Sequence, residues 1–346
     1  MPGFWHMAIS SWLLLAGAGM TLAGAAPQQS GLAAEQRAVA YLSREVPNWP
    51  RENNCFSCHN NGDAARALYV ARAMSHAVPA EALADTTAWL LQPLAWNEAK
   101  GDPGFSDLKL ARIQFAAALA EAVQTGAIRD REALITAAER LLEDQERDGS
   151  WDVDVPGVVG SPATYGDVLG TYMARRTLAA AGAARFGEAI ARADSCVLTT
   201  KPAATVDVAA VALALTDRLA GAGQLPAPDD SINTARSKLR EIVARMEESQ
   251  SSDGGWGPYP KSPSEPFDTA VALLALKACG DLGSAGAKTI ERLVAEGREY
   301  LIRVQLPAGG WPETTRPSGF QSYAQHISTS GWATLALLKT KDIAGR

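Results

Sequence analysis

A chain of 346 residues with only four cysteines and four histidines holds few of the side chains that staple folds or bind metals. Four cysteines cannot brace a protein of this length, so a disulfide scaffold is excluded and an apolar core must do the work. Basic residues are also short. Lys and Arg number 32 against 38 Asp and Glu, a net charge of −6, which leaves no basic face for nucleic acid. Beyond residue 25, no apolar run reaches the ~20 residues that a bilayer-spanning helix takes.

What is present begins with an unusual head. Residues 1–6 are followed by a mostly apolar run over 7–20, then by the small residues Ala23-Gly24-Ala25-Ala26. That order reads as a secretory signal over 1–25, cut after Ala25. A retained anchor is the alternative, although the apolar run is short for it. Residues 26–346 then form one domain, soluble and periplasmic or secreted, with no membrane span after signal removal.

The remainder repeats itself. One half of each repeat is amphipathic: Ile232, Ala235, Leu239, Ile242, Val243 and Met246 recur every three or four residues, as in a helix with one wet face. The other half is apolar all round, as in Val208–Leu215, Thr269–Leu276 and Trp332–Leu338, and such a helix is buried on every side. Asp63, Asp167, Asp207 and Asp268 take equivalent places at the start of dry helices, with Thr329 in the sixth unit and a looser match near Asp107 in the second. Asp suits a helix start, so capping is their plain reading. Six wet–dry pairs predict an all-α fold, an (α/α)6 toroid with an inner and an outer ring.

Three turns share one spacing: Gln145 to Trp151, Gln250 to Trp256 and Gln305 to Trp311, each with Gly two residues before the Trp. Gly supplies the positive φ that ends a helix. Trp packs under the turn, and the Gln amide meets orphan backbone groups. Trp49 and Trp96 read as degenerate copies. These turns resemble the QW repeats of squalene and hopene cyclases and of protein prenyltransferase β-subunits. The resemblance covers residues 34–341 and implies the same toroid, but one fold hosts many functions.

The activities of those families do not carry over. The cyclases' acid is the middle Asp of Asp-x-Asp-Asp-Thr-Ala, and the nearest match is Glu265-Pro266-Phe267-Asp268-Thr269-Ala270. Phe267 stands where the proton donor belongs. Asp152 and Asp154 lack the third carboxylate, so squalene cyclisation is not expected. The prenyltransferases' zinc site is matched only by His326 within Tyr323–Ser330, with no Asp-x-Cys partner upstream.

A different motif is present: Cys55-Phe56-Ser57-Cys58-His59. In c-type haem proteins, two thiols at this spacing add to the haem vinyl groups and the following His binds iron. The expectation is one covalent haem c per chain on Cys55 and Cys58, with His59 as axial metal ligand. A redox-active disulfide, zinc or an unmodified pair are the other readings. If the ring closes, unit six neighbours unit one, which makes His326 the candidate for the iron's other face. Met74 and His76 lie towards the opposite mouth. Cys196 and Cys279 read as small buried hydrophobes.

These readings converge on an exported c-type haem protein, serving electron transfer or haem-dependent redox chemistry at the barrel mouth with a redox partner protein. One alternative is a haem-free, cyclase- or prenyltransferase-like toroid that binds or converts an apolar small molecule. The other is an interaction scaffold.

Overall fold

The computed structural model describes residues 27–98, 108–153, 165–222, 229–281, 286–314 and 322–341. The leader expected over 1–25, Asp107, Asp154 and much of the long turns before α4, α6 and α12 fall outside these residues. Among the described residues the chain forms twelve α-helices and no strand. They are α1 (Pro27–Asn53), α2 (Ala65–Ala73), α3 (Ala84–Leu90), α4 (Leu108–Gln124), α5 (Glu132–Glu143), α6 (Asp167–Gly182), α7 (Gly187–Thr199), α8 (Thr205–Ala222), α9 (Asp229–Ser249), α10 (Pro266–Asp281), α11 (Ala287–Val304) and α12 (Tyr323–Lys339).

The even-numbered helices are the dry ones, and they build the inner ring. α2 packs on α4, α4 on α6, α6 on α8, α8 on α10, α10 on α12, and α12 returns to α2. Small residues make this close packing possible. Ala270, Val271, Ala272, Leu273, Ala275 and Leu276 of α10 are all fully buried. The odd helices wrap outside with one apolar stripe each; in α11, Ile290, Leu293, Val294 and Leu301 face inward. The (α/α)6 toroid expected from the repeat is the observed fold.

The Gln–Trp turns fasten one outer helix to the next. Trp151, Trp256 and Trp311 are fully buried, and each indole N–H donates 2.8 Å to a carbonyl of its own outer helix, at Leu141, Met246 and Leu301. Each Gln amide reaches two carbonyls. Gln145 meets Gly149 and Ala189, Gln250 meets Gly254 and Leu293, and Gln305 meets Gly309 and Ala34. Gly is required for two reasons, seen at Gly309. Its φ is +105, and a Cβ there would collide with the Arg37 carbonyl, so neither the backbone nor the space accepts a side chain.

Capping explains the aspartates only in part. Asp207 reaches back to the N–H groups of Ala203 and Ala204, 3.3 and 3.1 Å away, the acidic half of a capping box. Asp167 accepts from Val153 N at 2.9 Å. Asp63 does neither. The inner helix of unit one opens as a π-helical turn, Cys58–Ala64, before it becomes α2, and this wider turn carries Asp63 into the barrel wall.

Candidate functional site

Two polar features interrupt the apolar inner ring. The first surrounds Asp63, which is 1% exposed. Tyr165 donates its hydroxyl to one carboxylate oxygen, and Gln114 Nε2 donates to the other at 2.8 Å. Ser328 also hydrogen-bonds the carboxylate. Its Oγ lies 3.1 Å from His59 Nδ1, which is 3.4 Å from Gln114 Nε2. Burial pushes the Asp63 carboxyl above its ordinary range, against the pull of Arg66 and of these donors. The Tyr165 phenol is raised as well, by burial and then by Asp63. A buried carboxyl of this kind is a candidate proton carrier.

The second feature is a central cavity of about 190 Å³, with walls from α2, α6, α8, α10 and α12. Leu213, Leu274, Trp332 and Leu335 give it an apolar lining, as ligand cavities commonly have. Four cations line it too: Arg66, Arg176, Lys277 and Lys339. The last three stand in the final two turns of their helices, at the mouth opposite to His59. Behind them, Glu121 of α4 accepts from Arg176 at 3.0 Å and Lys339 at 2.8 Å. Burial alone would raise the Glu121 carboxyl, but Arg176 and Lys339 together lower it to about 2. Burial conversely lowers Lys339, against the pull of Glu121.

Arg66 sits between the two features. It is 2% exposed, its guanidinium lies 4.1 Å from the centre of the Trp332 ring, and Nη1 is 3.7 Å from the Met173 sulfur. Its Nε and Nη2 are buried without a hydrogen-bond partner. Tyr165 and Phe267 also meet Trp332 edge-on, at 5.5 and 5.8 Å. Phe267 is therefore packing, in the place where an acid would stand in a squalene cyclase.

The haem-motif residues do not share one surface. Cys55 is half-buried in the turn after α1, while Cys58 and His59, 3% and 1% exposed, belong to the π-helical turn. Local bonds lock that turn. Ser57 Oγ accepts from His59 N, Asn61 Oδ1 accepts from Ser57 N, and Asn61 Nδ2 donates to Val46 O and Thr86 Oγ1. Phe56 stacks on Trp89 at 4.6 Å. Porphyrin attachment to both thiols with His59 on the iron requires this turn to open. Among the described residues, no group of three or more His, Cys, Asp or Glu is placed to hold a metal ion.

Ring closure does bring α12 beside His59, but through Ser328. His326 is two residues earlier, about 200° round the helix, and meets the Tyr41 ring of α1 edge-on at 5.8 Å. His76 lies past the end of α2, 3.8 Å from Glu35, at the mouth away from His59. Cys279 is fully buried and Cys196 partly so, and neither forms a disulfide. Sequence reasoning missed Gln114, Tyr165 and the four cavity cations. The available signal for the cations was a charge inside an otherwise dry helix, as at Arg66 between Ala65 and Ala67.

The geometry defines an (α/α)6 toroid, and comparison with known proteins agrees on that fold. No family model matches the chain. Over 194 residues it is 27% identical to the drimenyl diphosphate synthase of Streptantibioticus cattleyicolor, covering 54% of this chain and 33% of that protein. The chain thus spans a third of that relative's length. Among solved structures it is similar to the type II terpene cyclase MstE from Scytonema in complex with geranylgeranyl dihydroxybenzoate. That likeness has 14% identity and a TM-score of 0.56, and covers 92% of this chain and 99% of that one. A glycosyl hydrolase family 88 protein from Bacteroides vulgatus is similar too, with 13% identity, a TM-score of 0.57 and coverage of 91% and 99%. These two structural likenesses show the fold; the reaction must be argued from the site.

Proposed function

We propose that this chain binds an isoprenoid-type apolar small molecule in its central cavity, with Asp63 as the buried group able to give or take a proton beside it. The observation that carries this reading is the leucine and tryptophan lining of a cavity walled by five inner helices and open at one side. The names of the two cyclase relatives support the ligand class, since both concern terpenoid compounds. No Asp replaces Phe267, so the ligand is not one that needs that acid. Because Trp332 lines the cavity, its fluorescence reports occupancy. Titration with farnesol gives saturable quenching; Ala278 also lines the cavity, and Ala278→Phe, which fills it, removes the quenching. Absence of saturation in the unsubstituted protein overturns the reading.

A second reading keeps covalent haem c on Cys55 and Cys58, with His59 as axial ligand, in an exported protein. The pentapeptide itself favours it, together with the signal-like head of the chain. Haem, when bound, supplies one-electron chemistry; Ser328 and Gln114 would set the orientation of the His59 ring. Expression beside a haem-attachment system, followed by intact mass, tests it. One haem mass, lost in Cys58→Ala, supports it; an unmodified mass removes it.

A further inference from the structure

We propose that Lys339 forms a Schiff base with an apolar aldehyde lodged in the central cavity, with Glu121 as the counter-ion. This deepens the cavity reading and rests on it. Trp332, Leu335 and Lys339 of α12 all line the cavity, at steps of three and four residues that put them on one helix face. Long side chains lean back towards the helix N-terminus, so the Lys339 stem lies over Leu335 and carries its amine along the apolar lining. The open side of the cavity gives an aldehyde a way in and water a way out.

The partner of this amine is not on a neighbouring helix. Lys339 Nζ is 2.8 Å from Glu121 Oε1, yet α2 stands between α12 and α4 in the inner ring. The side chain therefore reaches across the interior of the ring to a carboxylate that is 3% exposed. Ion pairs buried in this way add little over apolar packing, so stability is a poor reason for one beside a ligand cavity.

The other charges at this mouth face partners of opposite sign. Arg176 donates to Glu121 at 3.0 Å. Asp217 of α8 meets Arg175 at 3.2 Å and also acts on Arg176, and Arg66 acts on Asp63. An arrangement with carboxylates set against its cations does not select an anion. It offers an amine, apolar walls and a fixed negative charge.

Those are the needs of imine chemistry. Burial lowers the Lys339 ammonium, helped by Arg176 and Arg66 and opposed by Glu121, and this eases loss of the proton that masks the nucleophile. The nitrogen adds to the carbonyl carbon and the C=O bond opens to a hydroxyl. That oxygen then leaves as water, carrying two of the three ammonium protons, as the C=N bond forms. One ammonium and one aldehyde thus become one protonated imine and one water, with no change of charge. Glu121, kept ionised by Arg176, pairs with the iminium as it did with the ammonium.

Trapping with farnesal tests this. The full chain is incubated with the aldehyde, reduced with cyanoborohydride and mapped by peptide mass spectrometry. One farnesyl adduct on Lys339 is expected, suppressed severalfold by excess farnesol and lost in Lys339→Arg, which keeps a cation facing Glu121. Before reduction, the absorbance of the conjugated imine reports the counter-ion: in Glu121→Gln the protonated form disappears at lower pH than in the unsubstituted protein. Should a variant fail to fold, the mapped position and its suppression by farnesol decide. An adduct on Lys277 in place of Lys339, or adducts spread over surface lysines and indifferent to farnesol, overturn the proposal. Saturable Trp332 quenching by farnesol with no trapped adduct overturns the imine while the apolar cavity stands. Absence of both removes the cavity reading as well.

Discussion

The side-chain amide of Gln305 donates 3.0 Å to the carbonyl of Ala34, 271 residues earlier in the chain. Arg37 returns the contact, donating 2.5 Å to Gln305 Oε1. The last Gln–Trp turn thus clasps α1 as Gln145 clasps α7 and Gln250 clasps α11. One motif both links neighbouring units and closes the ring.

Gln305→Leu removes that clasp and leaves two carbonyls without their donor. The expected loss of unfolding free energy is about 1–3 kcal/mol, measured by urea denaturation. An unchanged midpoint and slope would show that helix packing alone holds the seam.

Two glycines separate backbone strain from close approach. Gly126 and Gly309 both have positive φ, but a Cβ at Gly126 meets nothing within 4 Å, while one at Gly309 strikes the Arg37 backbone. Gly126→Ala should cost about 1 kcal/mol. Gly309→Ala should cost at least about 2 kcal/mol more, because helix α1 must retreat. Equal thermal shifts would mean that the seam yields freely.

Asp63 gives stability a pH dependence of definite sign. Its folded pKa is raised above the ordinary 3.8. Between those two values the native state keeps a proton that the unfolded chain has released. Stability therefore falls as pH rises through this window, and the cost persists above it. Glu121 works oppositely: its contribution is full above its ordinary 4.5 and is lost as pH falls towards about 2. Urea unfolding across pH should show Asp63→Asn gaining on the unsubstituted protein as pH rises from 3.8, with the Glu121 limb unaltered. A constant difference at every pH contradicts a raised Asp63.

Squalene should emerge unchanged from incubation with the purified protein. Phe267 is fully buried against Trp332, and hydrocarbon cannot deliver a proton. Cyclised product by gas chromatography, lost in Asp268→Asn, would place the acid one residue later.

The toroid was legible because its signals are local. Wet and dry helices differ within a single turn of sequence, and Gln and Trp stand six residues apart in three turns. The site was far less legible. Arg66, Arg176, Lys277 and Lys339 are separated by 62 to 110 residues, and each looks alone like a solvated helix charge. Only the parallel inner ring brings them to one wall. Tyr165 and Asp63 meet across 102 residues, which no spacing rule reaches. The pairing of unit six with unit one was foreseeable, but which face of α12 meets His59 was not. A shift of two residues puts Ser328 there and turns His326 to Tyr41. The π-helical turn likewise left no mark in the apolar pattern, yet it carries Cys58 and His59 into the wall.

Photo-crosslinking locates the ligand most directly. A farnesyl analogue with a diazirine in its tail, irradiated with the full chain and mapped by peptide mass spectrometry, should label the inner helices α6, α8, α10 and α12. Labelled residues should include Leu213, Leu274 or Leu335, and excess farnesol should suppress the adducts. Adducts confined to the outer helices, or spread evenly and indifferent to farnesol, would contradict an apolar ligand in the central cavity.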